Sequence, residues 1–520
     1  MIRAWSSTEV VAAERPMLDA GVPLMEQAAF ALASHVTRAL RRAGHRVPGS
    51  VVLLLVGGGN NGGDALHAGA HLARRGAQVH AALLTDRAHP EGLAAARRSG
   101  VRVHQVLEDG VPPTERVLGL ARRAGVWVDG VTGVGAGGGL RHPVAEVVRS
   151  LAADRAGWPQ EPMVVAVDVP SGIGVDDGTV PGPVLPADMT VTMGAAKPGL
   201  LLPPAAELAG RLEVVDLALP LPAGGAPAVC RLTSADVADL WPRPTSSDHK
   251  YTRGVLGVLA GSTTFPGAAV LSVAGAVRTG LGMVRYLGPP GATTLVHARH
   301  PEVVAVPGRV QAWVIGPGVD ADDPGRAEQA QDAIEEALAA GVPVVLDAGA
   351  LQLLPEDLPD SAVLTPHAGE LATLLGSRGE AVTRDEVEAA PARHARLAAE
   401  LTGAMVLLKG ATTVVAGPTG PLYAQADAPP WLAAAGAGDV LAGVLGALLA
   451  PYGDRLQELL DSGEDVTAGV ARLAAAAVVV HGEAAQHAAG LHGPDPGPGR
   501  PLSAGDVADA LPTAVGQILA

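Results

Sequence analysis

The sequence predicts an α/β protein made of two domains in series, the first a three-layer domain. Three observations carry this expectation. Apolar runs of four to eight residues alternate with helical patterns from Val51 onward, the signature of parallel sheets covered by helices. A chain of 520 residues exceeds what one core accommodates. A Pro/Ala/Gly-rich stretch over 217–244 interrupts the alternation and marks a boundary.

In the first half, strands are expected near 51–56, 79–84, 126–129, 163–168, 189–193 and 212–215. In the second half they are expected near 255–260, 284–287, 313–315, 344–347, 362–364, 405–408 and 413–415. The domains are placed at 1–218 and 230–520, with 219–229 as linker and one short helical stretch near Ala235. The Gly/Pro-rich segment 490–501 reads as a loop before a last helix. Hydrophobic residues make up 48% of the chain but aromatics only 2%, so small aliphatic side chains must build the cores.

Composition excludes several classes of function. A net charge of −16 argues against a nucleic-acid partner. Apolar runs such as 440–450 fall far short of the roughly 20 residues of a membrane span. The start of the chain, with Glu9, Glu14 and Asp19, lacks the form of a secretion signal, so a cytoplasmic location is expected. Cys230 is a lone cysteine, so it forms no internal disulfide, and its place in a Pro/Ala/Gly-rich stretch speaks against a catalytic thiol. Of 37 basic residues only Lys197, Lys250 and Lys409 are lysines, and the only asparagines are Asn60 and Asn61. All five lie in motifs flanked by Gly, Pro or Tyr.

Strand 51–56 runs into Gly57-Gly58-Gly59-Asn60-Asn61-Gly62-Gly63-Asp64, with a helix expected from about Ala65. This contains G-x-G-x-x-G, with Asp86 further on, which makes the first domain Rossmann-like in expectation. Asp64 at the helix start would repel a pyrophosphate, which speaks against a simple dehydrogenase. Asp129 and Asp168 end two further strands, so Asn61, Asp129, Asp168 and Ser171 are expected in one crevice at the carboxyl ends of the sheet. Their oxygens suit a hard cation. The alternative is that Asp129 and Asp168 are helix N-caps.

In the second half Gly436-Ala437-Gly438-Asp439 opens an apolar helix. Its backbone N–H groups suit an anion, and Asp439 suits a base for a hydroxyl that receives a phosphoryl group. Lys409, followed by Gly410, Ala411, Thr412 and Thr413, offers a cation and hydroxyls to phosphates. His249-Lys250-Tyr251, Gly261-Ser262, Gly316-Pro317-Gly318, Asp347-Ala348-Gly349-Ala350 and Thr365-Pro366-His367-Ala368-Gly369-Glu370 lie ahead of these. A small-molecule kinase with an accessory ligand-binding domain fits this pattern, as does a non-catalytic role for the first domain.

Leu24-Met25-Glu26-Gln27-Ala28, the Gly-Asn-Asn-Gly-Gly-Asp loop, Asp168-Val169-Pro170-Ser171-Gly172 and the 190–199 segment through Lys197 together resemble the epimerase domain of the bifunctional NAD(P)H-hydrate repair enzymes. The resemblance spans nearly all of 1–218. It implies that the hydrated cofactor is bound by Asn60, Asn61, Gly62, Gly63 and Asp64 and by Gly133, Val134, Gly135, Ala136, Gly137, Gly138 and Gly139. It further implies that Asn61, Asp129 and Ser171 hold a potassium ion and that Asp168 contacts the reacting nicotinamide, where an acid/base group suffices to interconvert R and S hydrates. Asp168 is expected to be that catalytic group, aided by electrostatic stabilisation of the cationic intermediate. Residues 230–520 resemble the ADP-dependent NAD(P)H-hydrate dehydratase domain, which has a ribokinase-like fold. There the resemblance implies substrate contacts from Ala269, Gly318, His367 and the catalytic Asp439. It assigns nucleotide contacts to Lys409, Gly410, Ala411, Thr412, Thr413 and Gly438, with Mg²⁺ between nucleotide oxygens and ADP as phosphoryl donor. Hydrated NADH or NADPH is the expected substrate, and a homo-oligomer is expected. Ala65, Val131-Thr132 and Ala437 depart from the family pattern.

Overall fold

The computed structural model describes all residues except 108–110, 136–137, 156, 159–160, 223–224, 463–464 and 492–496, and side chains except also 454–462. It separates into two compact units, Arg3–Val229 and Cys230–Ala520 with Met1–Ile2.

The first unit holds a seven-stranded parallel sheet. Its order is Arg102–Gln105, Gln78–Leu83, Val51–Val56, Val126–Gly130, Met163–Val167, Met189–Met193 and Arg211–Val215. The central strands read as unbroken apolar runs because both faces are covered. Val52, Leu54 and Val56 pack with helices Leu24–Arg42 and Asn60–Arg74. Leu53 and Leu55 point the other way, against Pro113–Ala121 and Val144–Arg155. The strand order reverses between Val51–Val56 and Val126–Gly130, and such a switch opens a crevice at the carboxyl ends.

In the second unit, Met283–Leu287, Val255–Leu259, Ala312–Ile315, Val344–Leu346, Ala362–Leu364 and Met405–Leu408 run parallel in that order. Thr413–Ala416 and Leu422–Gln425 then continue the sheet antiparallel, because the connections are too short for a crossover helix. Val229–Arg231 and Ile2–Ala4 complete the ten-stranded order. Helices Pro266–Arg278, Ala437–Ser462, Val466–Ala489 and Ala504–Ile518 supply much of the core. Among the described residues one helix, Val466–Ala489, is long and apolar enough to cross a membrane, and 78% of that window is buried within the fold.

Both units are α/β, as expected. One helix starts earlier than the sequence suggests, and a second starts inside the motif expected to open it. The first runs from Asn60, so Asn60, Asn61, Gly62, Gly63 and Asp64 form its opening turns and not a preceding loop. The second begins at Ala437, within the Gly-Ala-Gly-Asp motif. Strands Ile2–Ala4, Arg102–Gln105, Val229–Arg231 and Leu422–Gln425 were not expected.

Candidate active sites of the two units

At the switch point of the first unit, the Asn61 amide donates to the Val167 carbonyl at 2.6 Å and to the Thr132 carbonyl at 3.0 Å. Gly133 follows, where a Cβ would lie 2.2 Å from Asn61 Oδ1, so only glycine fits against this side chain. Asp129, 1% exposed, accepts from Ser171 Oγ at 2.6 Å and Ser171 N at 2.9 Å. Ser171 Oγ in turn accepts from Thr132 N at 2.9 Å. Asn61, Asp129 and Ser171 are thus joined through Thr132. Burial pushes the Asp129 carboxyl above its ordinary value, opposed by the hydrogen bonds from Ser171 and Val131. The helix-cap alternative fails for Asp129 and Asp168, because neither begins a helix.

Asp168 adopts the left-handed backbone conformation at φ 66°, which costs a non-glycine residue about 1 kcal/mol or more. The surrounding contacts hold it there. Its Oδ1 accepts from Met193 N at 3.0 Å, from Thr192 Oγ1 at 3.1 Å and from the Lys197 ammonium. Lys197 is 1% exposed and also donates to the Met193 carbonyl at 3.0 Å. Two more carboxyl groups share this region. Burial first, then Asp168 and Glu14, push Asp64 well above the ordinary carboxylate value, with Lys197 opposing. Burial also raises Glu14. The sequence reading assigned no role to Glu14, and a lone acid in an amphipathic helix gives no signal that could have found it.

Of the glycine-rich loop, Gly133, Val134, Gly135, Gly138 and Gly139 are described, and Gly133 touches Asn61. Ala136 and Gly137 lie outside the described residues.

In the second unit, Lys409 N donates to the Pro366 carbonyl at 2.9 Å, which sets Lys409 beside His367. His367 caps helix Ala368–Ser377: its Nδ1 accepts from Gly369 N at 3.1 Å and Glu370 N at 3.2 Å. Lys409 Nζ lies 2.8 Å from Asp347 Oδ1 and 3.8 Å from Glu370 Oε2. A Cβ on Gly438 would come within 3.4 Å of Lys409 Nζ, so the lysine and the helix-opening glycine face each other. Thr413 Oγ1 donates to the Gly410 carbonyl at 3.4 Å, and Thr412 and Thr413 are buried.

Burial and then Asp347 push Asp439 up to about 6, with Lys409 opposing. Ala269 packs against Gly261, and Gly318 packs against Ala268 and Phe265, so these glycine turns border the start of helix Pro266–Arg278. Beside them a cleft of about 710 Å³ is lined by Phe265, Val319, Gly349 and Glu370, among others. Asp347 and Glu370 appear in the motifs read from sequence, but their pairing with Lys409 does not. The Asp347–Lys409 pairing spans 62 residues.

Comparison with known proteins places these two sites in context. A family described as YjeF-related protein N-terminus matches residues 22–199, and one described as NAD(P)H-hydrate dehydratase matches 256–497. The chain is 42% identical over 463 residues to the bifunctional NAD(P)H-hydrate repair enzyme Nnr of Mycobacterium tuberculosis, covering 86% of this chain and 89% of that protein. It is 32% identical over 528 residues to the enzyme of the same name from Moorella thermoacetica, covering 94% and 92%. A solved ADP/ATP-dependent NAD(P)H-hydrate dehydratase from Bacillus subtilis shares 28% identity, covering 55% of this chain and 97% of its own, at a TM-score of 0.45. With both family regions present and this identity sustained along most of its length, the chain belongs to the family of bifunctional NAD(P)H-hydrate repair enzymes.

Proposed function

We propose that the first unit interconverts the R and S forms of hydrated NADH or NADPH and that the second dehydrates the S form at the expense of ADP. The observation that carries this reading is the pairing of two separate sheet-end sites in a member of the family. One is built around Asp168 and Lys197, the other around Asp439 and Lys409.

In the first unit the neighbouring hydroxyl takes up a proton and leaves as water, driven by the ring nitrogen's lone pair, and water returns from either face and gives that proton back. Asp168 stands beside the reacting nicotinamide and stabilises the cationic intermediate, and Asn60 to Asp64 with Gly133 to Gly139 hold the rest of the substrate. Asn61, Asp129 and Ser171 fit a potassium ion. They offer oxygen donors, and Asp129 is a buried carboxylate whose hydrogen bonds come from Ser171 and Val131. The ion would add fixed positive charge beneath the substrate.

In the second unit, of ribokinase-like fold, Asp439 takes the proton of the ring hydroxyl as that oxygen attacks the terminal phosphoryl group. The ring nitrogen then expels phosphate, and loss of the adjacent ring proton restores the dihydropyridine, leaving AMP and phosphate. Lys409 to Thr413 and Gly438 hold the nucleotide, while Ala269, Gly318 and His367 border the hydrate. The Glu370 carboxylate, 3.8 Å from Lys409 Nζ, offers a hard oxygen donor suited to Mg²⁺, which would neutralise phosphate charge. Cytoplasmic residence and a homo-oligomeric state belong to the same reading.

The test is to supply chemically hydrated NADH as a mixture of R and S forms. ADP should restore the reduced-nicotinamide absorbance from the whole mixture, including the R form. Restoration limited to the S form would remove the epimerase from the reading, and none at all would remove the dehydratase.

A further inference from the structure

We infer that Asp64, and not Asp168, is the general acid of the first unit's site, giving its proton to the departing ring hydroxyl while Asp168 is held in its ion pair with Lys197. This rests on reading that unit as the hydrate epimerase.

The first support is position. Asp64 follows Asn61 by three residues on helix Asn60–Arg74, so the two share a face. The Asn61 amide is anchored to the carbonyl of Val167, the residue before Asp168. The next residue, Ala65, points at strand residue Gly130, where an added Cβ would stand 2.7 Å from its own. The Asp64 carboxyl is therefore on the side of the helix turned toward the strand ends.

The second support is an orphaned atom. Asp64 is 8% exposed, and its Oδ1 is buried with no hydrogen-bond partner among the described residues. A buried carboxylate without donors is costly, whereas a neutral carboxyl is far less so and has an O–H to offer a ligand.

The third is the disposition of charge. Asp168, Glu14 and Lys197 are the charged groups that act on Asp64. Lys197 is already bound to Asp168, Thr192 and the Met193 carbonyl. Burial and two like charges thus push the Asp64 carboxyl well above the ordinary carboxylate value, with Lys197 opposing. Adjacent carboxyl groups held in opposite protonation states are how a site divides acid work from electrostatic work.

The chemistry balances. The Asp64 proton passes to the hydroxyl oxygen on the ring carbon next to nitrogen. The C–O bond breaks with its electrons going to water, and the nitrogen lone pair forms the C=N bond. Water then adds to either face of that carbon, the C=N electrons return to nitrogen, and the surplus proton returns to Asp64. Glu14 acts as a positioning residue that keeps the acid protonated to higher pH.

The test uses the full chain with R-enriched NADH hydrate, no ADP, and the R:S ratio followed against pH after subtraction of the enzyme-free rate. The wild-type rate should fall as pH rises and Asp64 loses its proton. Asp64→Asn should lower kcat by roughly 10²- to 10⁴-fold and abolish that alkaline limb. Glu14→Gln, which removes one like charge, should move the limb to lower pH. ADP-dependent consumption of the S form and thermal melting of each sample report folding. Asp64→Asn retaining more than about a tenth of the rate with its alkaline limb in place overturns the assignment. So does a Glu14→Gln limb that does not move, which holds even where Asp64→Asn fails to fold. A wild-type chain that leaves the R:S ratio unchanged instead overturns the epimerase reading itself.

Discussion

Lys409 Nζ donates to Asp347 Oδ1 across 2.8 Å, so the cation facing Gly438 is already paired with a carboxylate that is 2% exposed. Burial pushes the Lys409 ammonium down, but Asp347, Glu370 and Asp439 outweigh it and hold the lysine above its ordinary value. Lys409→Ala should therefore do two things. It removes a phosphate partner, weakening ADP binding by at least about tenfold, or 1.4 kcal/mol. It also strands Asp347 with the Thr365 hydroxyl as its remaining side-chain donor, costing about 3 kcal/mol. Calorimetric titration with ADP and a melting curve separate the two effects, and Lys409→Ala with Asp347→Asn should regain stability without regaining affinity.

Asp439 must be ionised to accept a proton. Burial and Asp347 hold its carboxyl near 6, so it is charged above that pH and neutral below it. The ADP-dependent rate should accordingly fall as pH drops through about 6. Asp439→Asn should lose roughly 10²- to 10⁴-fold in rate while ADP affinity stays within a few-fold and epimerisation persists. Retention of more than a tenth of the turnover would place the base elsewhere.

The Asp168–Lys197 pair makes the opposite kind of demand. Asp168→Asn should abolish epimerisation and also leave an almost fully buried ammonium without its counter-charge, destabilising the first unit by about 3–5 kcal/mol. Adding Lys197→Met should recover most of that stability and none of the activity. Comparing the melting of wild type, both single variants and the double variant measures the coupling directly.

Potassium should support epimerisation through Asn61, Asp129 and Ser171. Exchanging potassium for choline should lower the R-to-S rate and the melting temperature of the wild type. Asp129→Asn should be insensitive to the exchange. A wild-type rate identical in the two salts removes the ion from the site.

The strands that build both sheet centres were legible to within about one residue, since apolar runs covered on both faces carry their own signature. Arg102–Gln105 was not, because an edge strand reading Arg-Val-His-Gln has no such run. The three-residue strands Ile2–Ala4 and Val229–Arg231 are too short to show a period. The helix beginning at Asn60 was read as starting five residues later, because Asn-Asn-Gly-Gly has poor helix propensity. Tertiary packing overrides that preference: a Cβ on Gly62 would sit 2.1 Å from the Gly57 carbonyl, so the weak helix former is the one that fits. Asn61, Asp129 and Ser171 were found because each ends or follows a strand. The ties of Glu14 to Asp64 and of Asp347 to Lys409 stayed hidden because they depend on how distant segments pack, which spacing along the chain does not encode.

The three lysines fall into three different accessibilities, and this makes the chain unusually simple to address chemically. Lys197 is sealed in, Lys409 is engaged by carboxylates with a side chain 20% exposed, and Lys250 stands in solvent with its ammonium 5.1 Å from the Tyr251 ring. An amine-directed fluorophore therefore has Lys250 as its open side-chain target, in addition to the Met1 amine, which Asp236 partly shields. Reaction at Lys197 becomes a clock for opening of the first unit, because acylation there requires the Asp168 enclosure to come apart first.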